Sequence, residues 1–189
     1  GAIVNNLDPR INYVGNWMKM EDYCGNLNGS ETLSNTAGDY AELSFTGTGI
    51  TVYGPWDILY GMCNVYLDGE LWKKNVSQYP DKVDFPGMSR GYEKRYRQIL
   101  AEVHGLEEKK HTLRIEVTGT KEAKAQNTYT SIDYAVLEGS SYTGGFKMNI
   151  AVDFNYPRMV RGCVRRPDVN LIPGVRESFR IQMLLEEDK

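Results

Sequence analysis

Between Ala41 and Trp72, apolar and polar residues alternate with a period of two, interrupted by glycine turns. Ala41, Leu43 and Phe45 fall on one side; Glu42, Ser44 and Thr46 fall on the other. Gly47-Thr48-Gly49 turns the chain, and Ile50 and Val52 resume the apolar side. After a stretch rich in aromatics, Cys63, Val65 and Leu67 alternate with Asn64, Tyr66 and Asp68. This period, with one wet face, predicts half-buried antiparallel strands. Asp68-Gly69 predicts a tight hairpin, because both central residues of such a turn need positive φ, which glycine adopts cheaply.

The same pattern recurs elsewhere. A short strand is predicted around Ile11–Val14, after Pro9. Residues 22–38 are rich in Gly, Asn, Ser and Thr and read as loop with one short edge strand. Ile99, Ala101 and Val103 are predicted inward, as are Leu113, Ile115 and Val117, and then Ile132, Tyr134 and Val136. Residues 77–94 and 119–128 read as polar loops, and the first is long enough to carry function. No segment shows a helical period with caps. Short, regularly spaced strands with glycine turns predict an all-β, antiparallel β-sandwich. Residues 139–145 read as a turn or linker. Beyond them, Phe146–Phe154 and Ser178–Leu185 have the composition of strands. The expected organisation is therefore a sandwich over residues 1–139 and a β-rich extension over 140–189. The extension is too short for a core of its own and is expected to pack on the sandwich or lead to a neighbouring domain.

Composition narrows the function classes. The chain has 189 residues, 41% of them hydrophobic, and a net charge of −3, which fits one domain and argues against a polyanion binder. No apolar run is long enough to span a membrane. No signal peptide is visible, and Gly1 in place of Met points to a trimmed start. Three cysteines, Cys24, Cys63 and Cys163, lack the short spacing of a zinc site or disulfide framework, and Cys63 is expected in the core. Thirteen tyrosines and three tryptophans against five phenylalanines weight the aromatics toward polar-tipped rings, which suit ligand stacking and wet strand faces alike. The arginines at 158, 161, 165 and 166 read as a solvated surface.

The phrases INYVGNW, DYAELSFTGTGITVYGP, GMCNVYLDGELW, RQILAEVHGL, HTLRIEVTGTK and YTSIDYAVLEG follow in that order from about residue 10 to 138. In order and spacing they resemble the galactose-binding-like β-jelly-roll modules that accompany bacterial glycoside hydrolases and carbohydrate esterases. The resemblance implies a jelly-roll sandwich whose ligand sits on the loops at one end, and a structural calcium, for which Asp39 and Glu138 are candidates. Two departures stand out. Glu107-Glu108-Lys109-Lys110 replaces the glycine usual before the HT of the late strand, and the 77–94 loop is long.

A sugar needs a flat apolar platform and planar polar partners. Trp56, Asp57 and Tyr60 supply these in one loop, Tyr92, Arg95 and Arg97 in a second, and Asn127 and Tyr129 in a third, with Trp17 near the first strand. Surface ion pairing is the simpler explanation for the arginines, and packing for Trp17. Neither His104 nor His111 lies in a catalytic motif, and His111 is expected to be an exposed strand residue. There is no nucleophile elbow, zinc-protease motif, phosphate-binding glycine loop or basic stripe for nucleic acid. The expected function is a non-catalytic carbohydrate-binding module linked to a catalytic domain of a glycan-degrading enzyme. A structural docking or oligomerisation domain is the alternative, and an enzyme on the same scaffold a third reading.

Overall fold

The computed structural model describes residues 2–23, 25–80 and 94–139. The expectations for Tyr92, for most of the 77–94 loop and for the extension 140–189 lie outside these residues. The described strands are β1 (Ala2–Asn5), β2 (Ile11–Val14), β3 (Met18–Glu21), β4 (Ser30–Ser34), β5 (Tyr40–Gly47) and β6 (Gly49–Trp56). They continue with β7 (Met62–Leu67), β8 (Glu70–Ser77), β9 (Arg95–Val103), β10 (Lys109–Val117), β11 (Thr130–Ile132) and β12 (Tyr134–Glu138). They form a four-stranded sheet β1-β12-β6-β9, a five-stranded sheet β2-β5-β10-β7-β8 and a small sheet β11-β4-β3. All named strand pairs are antiparallel. Among the described residues no helix is long and apolar enough to cross a membrane.

One core joins the two larger sheets. Ala41, Leu43, Phe45, Val65, Leu113 and Ile115 meet Val4, Ile50, Val52, Ala101 and Leu137 in a single buried cluster, as the alternation predicts. Cys63 belongs to it, fully buried, and burial pushes its thiol up to about 12. The Asp68-Gly69 hairpin is as expected, with φ of 51° and 86° and Leu67 opposite Glu70, the geometry of a type I′ turn.

Where the alternation misleads, an inserted residue or a break is responsible. Val52 pairs with Ala101 but Tyr53 with Ile99, so Leu100 is an extra residue in β9. The bulge turns Leu100 inward and leaves Ile99 45% exposed, reversing the expected faces. The predicted strand 129–138 is two strands separated by Asp133, whose N–H donates to Tyr53 O (2.9 Å) and whose carbonyl accepts from Asn6 N (2.8 Å). Past that break, Ala135 and Leu137 enter the core in place of Val136. Residues 22–38 hold a buried strand, β4, flanked by β11 and β3. All five of its residues, Ser-Glu-Thr-Leu-Ser, are buried, which a polar composition conceals.

His111 is also buried rather than exposed, at 3%. Its Nε2 lies 2.9 Å from the carbonyl of Glu107 and its Nδ1 2.8 Å from Asp68 Oδ2. A carbonyl can only accept, so Nε2 carries a proton, and the Asp68 carboxylate favours a second at Nδ1. Asp68 thereby raises the imidazole pKa and is itself lowered by His111. The imidazolium's contribution to stability is present below the ordinary histidine pKa and fades as pH rises through the raised one. The carboxylate's contribution fades as pH falls through its lowered pKa. This pair ties down the turn that lacks the customary glycine.

Gly54 in β6 shows how tightly the sheets meet. A Cβ there would lie inside contact distance of the Ser131 carbonyl oxygen and 2.9 Å from Gln78 Nε2. Gln78 cannot yield, because its fully buried amide donates to Pro55 O (3.0 Å) and Ser131 O (2.8 Å) and accepts from Ser131 N (2.9 Å). Gly54→Ala is expected to destabilise the fold by at least about 2 kcal/mol. Gly69→Ala, where a Cβ meets nothing within 4 Å but φ is 86°, should cost less than that. Urea melts of both variants check the order, and equal losses would refute the steric account.

Candidate functional site

The C-terminal end of β6 and the start of β9 build the site. Trp56 is the last residue of β6 rather than a loop residue, half-buried and paired with Arg95. Gly54 pairs with Gln98, so β9 holds one more residue than β6 in this interval. Arg97, at φ 58°, sits in the extra turn, a conformation that costs a side-chain residue on the order of 1–2 kcal/mol. Its Nε donates to Gly25 O at 3.2 Å, which draws the β9 start toward the segment before β4.

Under this pair lies a buried charge cluster. Lys94 Nζ donates to Asp22 Oδ2 (2.7 Å) and to Glu31 Oε2 (2.9 Å) and Oε1 (3.0 Å). The Glu31 side chain is fully buried and that of Lys94 is 8% exposed. Asn26 Nδ2 donates to Glu31 Oε2 at 2.6 Å, and the Tyr60 hydroxyl donates to Glu31 Oε1. Tyr96 OH lies 3.0 Å from both oxygens of Asp22. The Tyr60 and Tyr96 rings flank the ammonium, 5.6 and 5.4 Å from Nζ, within cation–π range. Burial pushes the lysine pKa down, but Glu31 and Asp22 outweigh it and the net direction is up, so Lys94 stays charged. Beside them Asp133, 0% exposed, accepts from Leu27 N at 2.9 and 3.1 Å. Burial drives its carboxyl up to about 8 against that hydrogen bond.

Five of the residues expected to bind ligand, Trp56, Asp57, Tyr60, Arg95 and Arg97, thus come to one end of the β6–β9 pair. Tyr60, only 1% exposed, is the floor of the cluster and offers no open platform. Asp57 holds its own turn, accepting from Leu59 N at 3.0 Å and donating its N–H to Gln78 O at 3.1 Å. Tyr129 adjoins through a backbone bridge to Tyr60. Asn127 accepts from Asn35 Nδ2 at 3.2 Å, at the other end of β4. Trp17 stays out of the group: its Nε1 donates to Val14 O (3.1 Å) and its ring packs 5.1 Å from Tyr13. Asp22, Glu31 and Asp133 were not singled out from the sequence, and Lys94 and Tyr96 only as members of the second loop. The one available signal was an aspartate in the middle of the otherwise strand-like SIDYAVLE.

The two candidate calcium ligands do not meet. Asp39 precedes β5 and Glu138 pairs beyond its far end, roughly 25 Å away for a strand of this length. Asp39 is 7% exposed and accepts from Asn16 N (2.7 Å) and Ser34 Oγ (2.6 Å), while Glu138 lies 3.1 Å from His104 Nδ1. One ion cannot bridge them. Among the described residues no three His, Cys, Asp or Glu side chains converge as a metal-ligand group.

No family model matches the chain. It is 36% identical, over 115 residues, to the A type blood alpha-D-galactosamine galactosaminidase of Flavonifractor plautii, a match covering 59% of this chain and 9% of that protein. It is 31% identical, over 113 residues, to the A type blood N-acetyl-alpha-D-galactosamine deacetylase of the same organism, covering 59% and 13%. The matches thus span about a tenth of the length of these relatives. Among solved structures, a two-domain esterase active on acetylated mannans, co-crystallized with mannopentaose, superposes with a TM-score of 0.50 at 12% identity. That match covers 74% of this chain and 37% of the esterase. The described residues form an all-β, antiparallel β-sandwich of the jelly-roll kind. In this jelly roll Trp56 and Arg95 pair at one end of a sheet, and Lys94, next to Arg95 in the chain, anchors the charge cluster.

Proposed function

We propose that this jelly roll is a non-catalytic carbohydrate-binding module of a larger glycan-processing enzyme, keeping that enzyme on its glycan. The observation that carries the reading is the half-buried Trp56 beside Arg95, next to the buried charge cluster in which Lys94 bonds Asp22 and Glu31. The cluster fixes the backbone from which both side chains project, so little order remains to be imposed when a ligand binds. An indole face suits the C–H side of a pyranose, and a guanidinium suits its hydroxyls. The matching of a comparable segment within two much longer glycan-processing enzymes supports the same reading.

The test is binding of the whole chain to a broad glycan array, with Trp56→Ala alongside. The wild type is expected to bind one glycan class weakly, and the variant to lose at least about tenfold, the loss typical of a central aromatic anchor. Silence of the wild type across the array, or undiminished binding by the variant, would end the proposal.

A further inference from the structure

β8 is an edge of the five-stranded sheet. β7 pairs with one side of it, and among the described residues no strand pairs with the other. Every residue from Glu70 to Asn75 is exposed, and Leu71 and Trp72 are each 49% exposed. Proteins ordinarily blunt or cover an edge that carries large apolar side chains. The register contains an inserted residue here: Leu67 pairs with Glu70, Tyr66 with Leu71 and Val65 with Lys73, so Leu71 and Trp72 together oppose Tyr66. Val65 lies in the core and Leu67 packs against it, so Glu70 and Lys73, opposite those two, share one side of β8. Without the extra residue, positions three apart would fall on opposite sides. Among the described residues neither Glu70 nor Lys73 has an ion-pair partner, whereas the surface cations Lys19, Lys109 and Arg114 are paired with Glu21, Glu107 and Glu42.

We infer that Glu70-Leu71-Trp72-Lys73 is the contact through which two copies of this chain associate about a two-fold axis. The segment is its own complement. Laid antiparallel on a second copy, with the axis between Leu71 and Trp72, it sets each Glu70 against the other copy's Lys73 and each Leu71 against the other copy's Trp72. A two-fold axis perpendicular to the sheet keeps every residue on its own side. Because the inserted residue puts Glu70 and Lys73 on one side, both charge pairs form at once. Opposite charges and aromatic–aliphatic pairs placed across neighbouring strands favour association, and like charges placed so oppose it. An unrelated partner of one charge fits less well, since an acidic strand would meet Glu70 and a basic one Lys73. The bulge also twists the edge and keeps the matched stretch short, so the contact belongs with small, weak interfaces. It uses no residue of the Trp56 end, and its success or failure leaves the proposed function untouched.

The experiment is sedimentation equilibrium of the full chain at rising concentration, in low salt, where surface charges are least screened. The weight-average mass is expected to climb reversibly toward that of a dimer. Trp72→Ala should weaken the association about tenfold. Glu70→Lys and Lys73→Glu should each weaken it at least as much, because each sets like charges opposite one another at both ends of the contact. An equimolar mixture of those two variants should associate again, since a heterodimer of one with the other restores both opposite-charge pairs. Loss of folding in the variants could not produce that rescue. A wild type that stays monomeric at every concentration would overturn the inference. So would a dimer that persists in all three variants, or two charge variants that fail to associate when mixed.

Discussion

Lys94→Met is expected to lower the unfolding free energy by about 3–5 kcal/mol, the usual cost of removing one partner from a buried ion pair. Lys94 is the cation that holds Glu31 and Asp22 together, and Glu31 has no access to water. Without the ammonium, Glu31 keeps hydrogen bonds from Asn26 and Tyr60, which cannot supply a positive charge. The methionine retains most of the stem's volume, so the loss reports charge rather than a cavity. Combining Lys94→Met with Glu31→Gln should recover part of the loss, because the stranded carboxylate is then neutral. Urea unfolding of the wild type, both single variants and the double variant measures the coupling. A loss under about 1 kcal/mol for Lys94→Met would mean that water or a rearranged side chain satisfies Glu31, and that the cluster does not hold the β9 start.

Asp133 is expected to make the jelly roll less stable in alkali. Its carboxyl is neutral in the folded state up to about 8, against an ordinary value of 3.8, chiefly because it is buried. Between those values the native state holds a proton that the unfolded chain has released. Stability therefore falls as pH rises through that window and levels off above it. The effect is on the order of several kcal/mol across the window. Asp133→Asn keeps an oxygen for the Leu27 N–H and cannot ionise. The variant should melt at nearly the same temperature at pH 5 and pH 9, where the wild type loses stability. His104 and His111, both with raised pKa values, leave a smaller slope of the same sign. A wild-type melting temperature that rises from pH 5 to pH 9, or an unchanged slope in Asp133→Asn, would contradict the assignment.

Both predictions concern residues whose partners no local pattern marks. Lys94 and Glu31 are 63 residues apart, and Leu27 and Asp133 are 106 apart. Lys94, Glu31 and Asp133 each carry the hydrophilicity of a loop or surface residue and become buried only when distant segments meet around β4. A Ser-Glu-Thr-Leu-Ser stretch has no apolar alternation of its own. Trp56, Asp57, Arg95 and Arg97 were legible as candidates because aromatic and charged residues cluster in short stretches of the chain. Their meeting depended on the β6–β9 pairing.

Taken alone, the chain determined the sandwich, the Asp68-Gly69 hairpin and the buried sides of β5, β7 and β10. These follow from side chains alternating across a strand and from the φ angles that a turn allows, both local properties. Tertiary structure alone decided the bulge that reverses Ile99 and Leu100, the break at Asp133, the separation of Asp39 from Glu138 and the burial of Lys94 with Glu31. A single inserted residue changes which face every later side chain takes. A charge can be buried only where partners from distant strands arrive together.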